Sequence, residues 1–141
     1  MEIIEITGDN ISKYMAECIE LQQYLVSSGT QITEELFIGT AEDDHSYFLG
    51  VVNDKQLVGV GVLSKIVHPV NITGYVNNVV VSPETRGKGL FTLIMDDMEK
   101  KAREWGCTDM ALTCSREKVQ GMYEKRGYVH KKTNFYILKL K

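Results

Sequence analysis

No apolar run in this sequence approaches the ~20 residues needed to span a bilayer. Its first residues, Met1-Glu2-Ile3-Ile4-Glu5, carry neither the basic segment nor the apolar stretch of a secretion signal. No membrane partner is therefore expected, and a cytoplasmic location is. Cysteine is sparse and odd in number: Cys18, Cys107 and Cys114 stand at unrelated spacings without a C-x-x-C pair. That pattern argues for free thiols, not for a disulfide frame, and no metal is expected. A catalytic Cys114 would need a suitably spaced His, and none is present. Positive charge is not in excess either. A net charge of −3 argues against a nucleic-acid partner and mildly favours a cationic or amine substrate. Repeats, low-complexity tracts and linkers are missing, so residues 1–141 read as a single domain. A chain of that length buries ~68–70% of its unfolded surface without a staple.

What the chain does have is concentrated at residues 79–91. Val79, Val80 and Val81 read as a strand buried on both faces. Pro83 ends it, since proline has no N–H for a ladder. A loop with Arg86, Gly87, Lys88 and Gly89 follows, and helical spacing begins at Leu90 and Phe91. Strand, glycine-containing basic loop and helix N-terminus together suit a phosphorylated ligand. Glycine lets backbone approach a phosphate, and the first-turn N–H groups and helix dipole favour its charge. The Gly-x-x-x-x-Gly-Lys-Ser/Thr spacing of a Walker loop is not there.

Around this stretch the apolar periodicity predicts a strand at residues 3–6 and a helix from Ile11, ended by Ser27-Ser28-Gly29. A second helix starts at Thr33-Glu34-Glu35. Strands are predicted at 47–52, 56–64 and 74–82, the middle one with Gly59 and Gly61, which mark a bulge or a close backbone approach. A helix follows from Leu90 to Trp105, with Gly106 just beyond it. Next come a strand at 108–113, a helix at 117–126 and two last strands at 128–130 and 133–139. The order β-α-α-β-β-β-α-β-α-β-β is an α/β sandwich around a mixed sheet. Its unit at 74–113 should be a right-handed parallel crossover, with the ligand crevice at the C-terminal end of the 79–81 strand.

The run Val81-Ser82-Pro83-Glu84-Thr85-Arg86-Gly87-Lys88-Gly89-Leu90 resembles the acetyl-CoA signature of the GNAT (Gcn5-related) N-acetyltransferases. Met122-Tyr123-Glu124-Lys125-Arg126-Gly127-Tyr128 resembles the same family's second marker, and the strand order fits the GNAT fold. Arg86 and Gly89 fill the first two fixed positions of Arg/Gln-x-x-Gly-x-Gly/Ala. Phe91 departs from the third and is expected to crowd the passage of the cofactor's chain. The resemblance implies that the pyrophosphate of acetyl-CoA, the co-substrate, sits on the N–H groups from Arg86 through Gly87, Lys88, Gly89 and Leu90 to Phe91. It implies a pantetheine arm paired along Val79, Val80 and Val81, and Tyr123 as the acid that protonates the leaving thiolate.

Many relatives carry a Glu where this chain has Asn77 and Asn78. Neither amide accepts a proton, so both are assigned to binding substrate or water. Glu34, Glu35, His45, His68 and Tyr136 are further candidates for a base, and none is assigned. Within the family, residues 74–81 and 107–127 look most like glucosamine-6-phosphate N-acetyltransferases, although Asn77-Asn78 replaces an acidic pair and Val119 an Asn. The implied activity is acetyl transfer from acetyl-CoA to a primary amine of a small molecule, such as an amino sugar phosphate, by direct attack. Two alternatives stand beside it: a protein N-terminal or lysine acetyltransferase, and a CoA-binding module without catalysis. Homodimers are common in the resembling family, and no stretch here reports one.

Overall fold

The computed structural model describes residues 1–27 and 29–141, so Ser28 in the expected end of the first helix lies outside the described residues. Five strands form one sheet in sequence order: β1 (Glu2–Glu5), β2 (Ser46–Asn53), β3 (Gln56–Val67), β4 (Ile72–Val81) and β5 (Asp109–Ala111). The pairs β1–β2, β2–β3 and β3–β4 are antiparallel, and β4–β5 is parallel. Helix α1 (Ile11–Gln22) and helix α2 (Glu34–Glu42) join β1 to β2. Helix α3 (Leu90–Glu104) makes the crossover from β4 to β5, and α4 (Glu117–Lys125) follows. Among the described residues no helix is long and apolar enough to cross a membrane.

The sheet separates two cores. On one face Ile11, Tyr14, Met15, Cys18 and Leu21 of α1 pack on Phe48, Leu57, Val60, Val62 and Val80. On the other face Leu90, Ile94, Met95, Met98 and Ala102 of α3 pack on Leu49, Val51, Leu63 and Val76. The α3 residues follow the i, i+4, i+8 spacing of one helix face, and each is at most 2% exposed. Burial of each large side chain among them contributes about 1.5–3 kcal/mol. Gly61 of β3 owes its place to this layer. A Cβ there would lie 2.5 Å from Met98 Cε and 3.2 Å from Ile94 Cγ2, so a side chain at 61 would push the flexible end of Met98 aside and press on Ile94.

Three expectations change. The first helix ends at Gln22, short of the expected stop at Ser27-Ser28-Gly29, and its C-cap is Gln23. The 108–113 strand is shorter, three residues only. The strands expected at 128–130 and 133–139 do not form, and residues 128–141 have no regular structure. Phe135, Tyr136, Ile137 and Leu138 are all exposed, with no alternation between a buried and an open face. A strand is held by its neighbour and by the layer beneath it. Among the described residues no strand of the sheet pairs with 128–141. The remaining elements stand in the predicted order.

Candidate active site

The site begins with an irregularity in β4. Val62 pairs with Asn77 and Val60 with Val80, so Gly61 alone faces two residues, Asn78 and Val79. Two residues against one is a β-bulge. Asn78 takes the left-handed conformation, φ +53°, which Asn tolerates better than other L residues but which still costs of order 1 kcal/mol. The bulge changes the phase of the strand. Val76 packs on the α3 side, whereas Val80, four residues later, packs on the α1 side.

The other edge of β4 opens at the same level. It pairs with β5 only from Thr73 to Tyr75, so beyond Tyr75 that edge meets no strand among the described residues. A gap opens between residues 76–81 of β4 and the chain after Ala111. Backbone groups that a ladder would have used are left for another partner. The unpaired edge includes Val79, Val80 and Val81, beside which the crevice is expected.

At the mouth of the gap a 3₁₀ turn at Pro83–Thr85 leads to the loop. Ser82 N–H donates to the Val58 carbonyl at 2.8 Å, and Thr85 Oγ1 donates to the Ser82 carbonyl at 3.0 Å, so the loop leaves the sheet from a fixed point. Gly87 and Gly89 have φ of +79° and +82°, and nothing lies within 4 Å of where a Cβ would be. Glycine is required there by backbone conformation, not by space. Gly89 is the N-cap of α3, with no side-chain cap and no acid in the first turn. The first-turn N–H groups at Leu90 and Phe91 therefore have no preceding carbonyl to bond, and the positive helix end is not neutralised locally. Leu90 offers only its N–H, because its side chain is buried. Arg86 is exposed but held, with Nε donating to the Val81 carbonyl at 3.2 Å and the guanidinium 5.9 Å from the Tyr24 ring centroid. Lys88 is exposed.

Tyr123 stands across the gap on α4. Its ring makes edge contacts with Phe91 at 5.2 Å and Tyr128 at 5.7 Å. The ring of Phe91, expected to crowd the passage, thus has a partner in Tyr123. The segment 123–128 is a Schellman cap. Tyr128 N–H donates to the Tyr123 carbonyl at 3.2 Å, Gly127 N–H to the Glu124 carbonyl at 3.0 Å, and Gly127 has φ +98°. The Tyr123–Tyr128 contact is the apolar contact that accompanies this cap. Arg126 ties the helix end to α3, with Nε and Nη2 donating to the Glu99 carboxylate at 3.0 and 2.9 Å and Nη2 also to Asp96 at 2.5 Å. Tyr128 Oη donates to Glu99 as well, at 3.1 Å.

Burial, and then the neighbouring Cys114, push the Tyr123 hydroxyl up to about 12 from 10.0. Tyr123 therefore keeps its proton across the neutral range. Tyr47 is raised by burial and its bond to Asp97, and Tyr128 by burial and Glu99. All three favour the protonated form in the folded state. Their contribution to stability is complete below the unfolded value near pH 10 and is lost as pH rises toward 12. The urea midpoint is expected to hold from pH 8 to 9.5 and to drop by pH 11; equal midpoints at pH 9 and 11 would contradict this.

The asparagines are largely committed. Asn77 Nδ2 donates to Ser64 Oγ at 3.2 Å and to the Tyr75 carbonyl at 3.3 Å. Asn78 Nδ2 donates to Gln22 Oε1 at 3.1 Å, and Gln22 Nε2 donates back to the Asn78 carbonyl at 3.4 Å. Gln22 escaped the sequence reading, yet it had a signal: it lies on the apolar stripe of α1, four residues after Cys18. The candidate bases do not gather at the gap. Glu34 and Glu35 are exposed in the first turn of α2. His45 and His68 lie near the β3–β4 hairpin, at the opposite end of β4 from the loop. Tyr136 is in the exposed tail. A cavity of about 340 Å³ lies beside α1, lined by Ile19, Gln23, Val26 and Ile32 among others; it includes none of the expected site residues.

Residues 14–128 match the profile of the family described as the acetyltransferase (GNAT) family. A Drosophila melanogaster protein named "Probable glucosamine 6-phosphate N-acetyltransferase" is 35% identical over 89 residues, which are 59% of this chain and 40% of that protein. The glucosamine 6-phosphate N-acetyltransferase of Candida albicans is 33% identical over 75 residues, 51% of this chain and 50% of that one. The chain thus spans half or less of the length of these curated relatives. The crystal structure of glucosamine-6-phosphate N-acetyltransferase from Arabidopsis thaliana superposes with a TM-score of 0.79 at 20% identity, covering 97% of each chain. At that identity the likeness is one of fold.

Proposed function

The chain belongs to the acetyltransferase (GNAT) family, and from that premise we propose that it moves an acetyl group from acetyl-CoA to the primary amine of a small molecule. The observation that carries this reading is the unpaired edge of β4 at 76–81, with the loop of Gly87 and Gly89 at its mouth and Tyr123 across it. The residues present fit the donor. Backbone N–H groups from Gly87 to Phe91 would hold the pyrophosphate, the Arg86 N–H being given to the Pro83 carbonyl at 3.4 Å, and the free edge beside Val79, Val80 and Val81 would pair the pantetheine arm. Acetyl-CoA supplies the activated acyl group. The acceptor nitrogen forms a bond to the acyl carbon, the carbon–sulfur bond breaks, and the sulfur leaves with a proton from Tyr123 Oη. The proton released by the nitrogen goes to solvent water, no carboxylate of this chain being assigned it, and Tyr123 regains its own proton from solvent. An amino sugar phosphate is the acceptor class we favour, on the names of the two curated relatives.

Saturating acetyl-CoA is expected to raise the melting temperature, since a ligand bound only by the folded chain stabilises it by about 2.7 kcal/mol at a hundredfold excess over Kd. CoA thiol release should then follow the addition of an amino sugar phosphate. No shift would remove the cofactor. A shift with no thiol release across a broad panel of amines would leave a CoA-binding module, and release with peptide amines alone would point to a protein acceptor.

A further inference from the structure

The C-terminal end of α1 touches both walls of the crevice and its loop. Gln22 bonds Asn78 on β4 in both directions. Two residues on, the Tyr24 carbonyl accepts Arg116 Nη2 at 2.9 Å from the segment leading into α4, and the Tyr24 ring lies under Arg86. Packing alone does not call for a Gln at 22. The side chain is only 6% exposed and sits on an apolar stripe, where Leu or Met would need no polar partner. Its partner explains it. As the extra residue of the bulge, Asn78 is left without a regular place in the β3 ladder, and it holds a left-handed backbone. Gln22 supplies a donor and an acceptor in place of that ladder.

Resting on the acetyl-CoA reading above, we propose that Gln22 is a positioning residue for the reaction. Its two hydrogen bonds to Asn78 hold the β4 bulge, and the bulge aims the free edge of Val79–Val81 into the crevice. Gln22 touches no reacting atom; it acts through the backbone of β4. Removing the pair lets the bulge relax, and the edge is then presented to the pantetheine arm only part of the time.

The test uses the full chain, with acetyl-CoA KM at saturating acceptor and CoA binding measured without acceptor. Gln22→Met keeps the length of the side chain and removes both bonds. It is expected to raise acetyl-CoA KM and CoA Kd together by about tenfold, with kcat at saturation near wild type. In an Asn78→Gly background, where glycine takes the left-handed conformation unaided, Gln22→Met should have a smaller further effect. A folded Gln22→Met protein with wild-type KM and Kd overturns the proposal, as does one that loses melting temperature alone. If Gln22→Met does not fold, Asn78→Ala carries the comparison: it leaves α1 intact, removes the Asn78 side chain from the pair and disfavours the left-handed backbone, and the same weakening of CoA binding is expected. A wild-type chain that binds no acetyl-CoA overturns the functional reading and this proposal together. Wild-type binding with unmoved variants overturns this proposal alone.

Discussion

Tyr123→Phe is expected to lower kcat at least about a hundredfold while acetyl-CoA KM stays near wild type, the scale of loss for a general acid. The substitution removes one oxygen. The ring, its edge contacts with Phe91 and Tyr128 and the cap that fixes its backbone all remain, so binding is not disturbed and only the proton is missing. The pH dependence follows from the leaving group. A thiol titrates near ~8.5, so the deficit should shrink above that pH, where thiolate no longer needs a proton to leave. Steady-state rates from pH 6.5 to 9.5 check both features. An unchanged kcat, or a loss independent of pH, would remove Tyr123 as the acid.

Arg126→Met should cost about 2 kcal/mol of stability, seen as a fall of roughly 4–8 °C in Tm. The side chains of Arg126 and Glu99 are 16% and 19% exposed, and the substitution leaves Glu99 without its bidentate partner. Asp96, on the same guanidinium, is 64% exposed, and its removal should change stability by less than about 1 kcal/mol. Because Arg126 also fixes the end of α4, kcat should fall with stability, unlike in Tyr123→Phe. The comparison of Arg126→Met with Asp96→Asn by thermal melting separates the half-buried pair from the exposed one. Equal, small shifts would show that α4 is held by its apolar contacts alone.

The sequence carried the parts of this structure that depend on neighbours close in the chain. The α3 stripe, the valine strand, the loop glycines and the start of α3 all rest on local periodicity or on backbone freedom, and they fold where they were expected. Gly127 was legible as a helix end, although its pairing with Tyr128 in one cap was not. The β4 bulge is different in kind, because it is a mismatch between β3 and β4 and no single strand records it. Gln22 was hidden for a related reason: its partner lies 56 positions away. The tail shows the opposite error. Residues 133–139 have the composition of a strand, but composition cannot supply the edge and the layer that a strand needs.

Asn78 separates what the fold requires from what the crevice requires. Leave it out of the count and the faces of β4 alternate: Val76 toward α3, then, past Asn77, Val79 toward α3, Val80 toward α1 and Val81 toward α3. The apolar faces of the strand are compatible with a chain one residue shorter, and only Gln22 would lose its partner. That shorter chain would have a straighter β4 and no left-handed residue in it. Asn78 is therefore an insertion that core packing can spare, kept at some expense in stability, as sites that depend on local strain often are. Engineering for heat resistance would discard it early, and on the proposal above would then loosen the edge offered to acetyl-CoA.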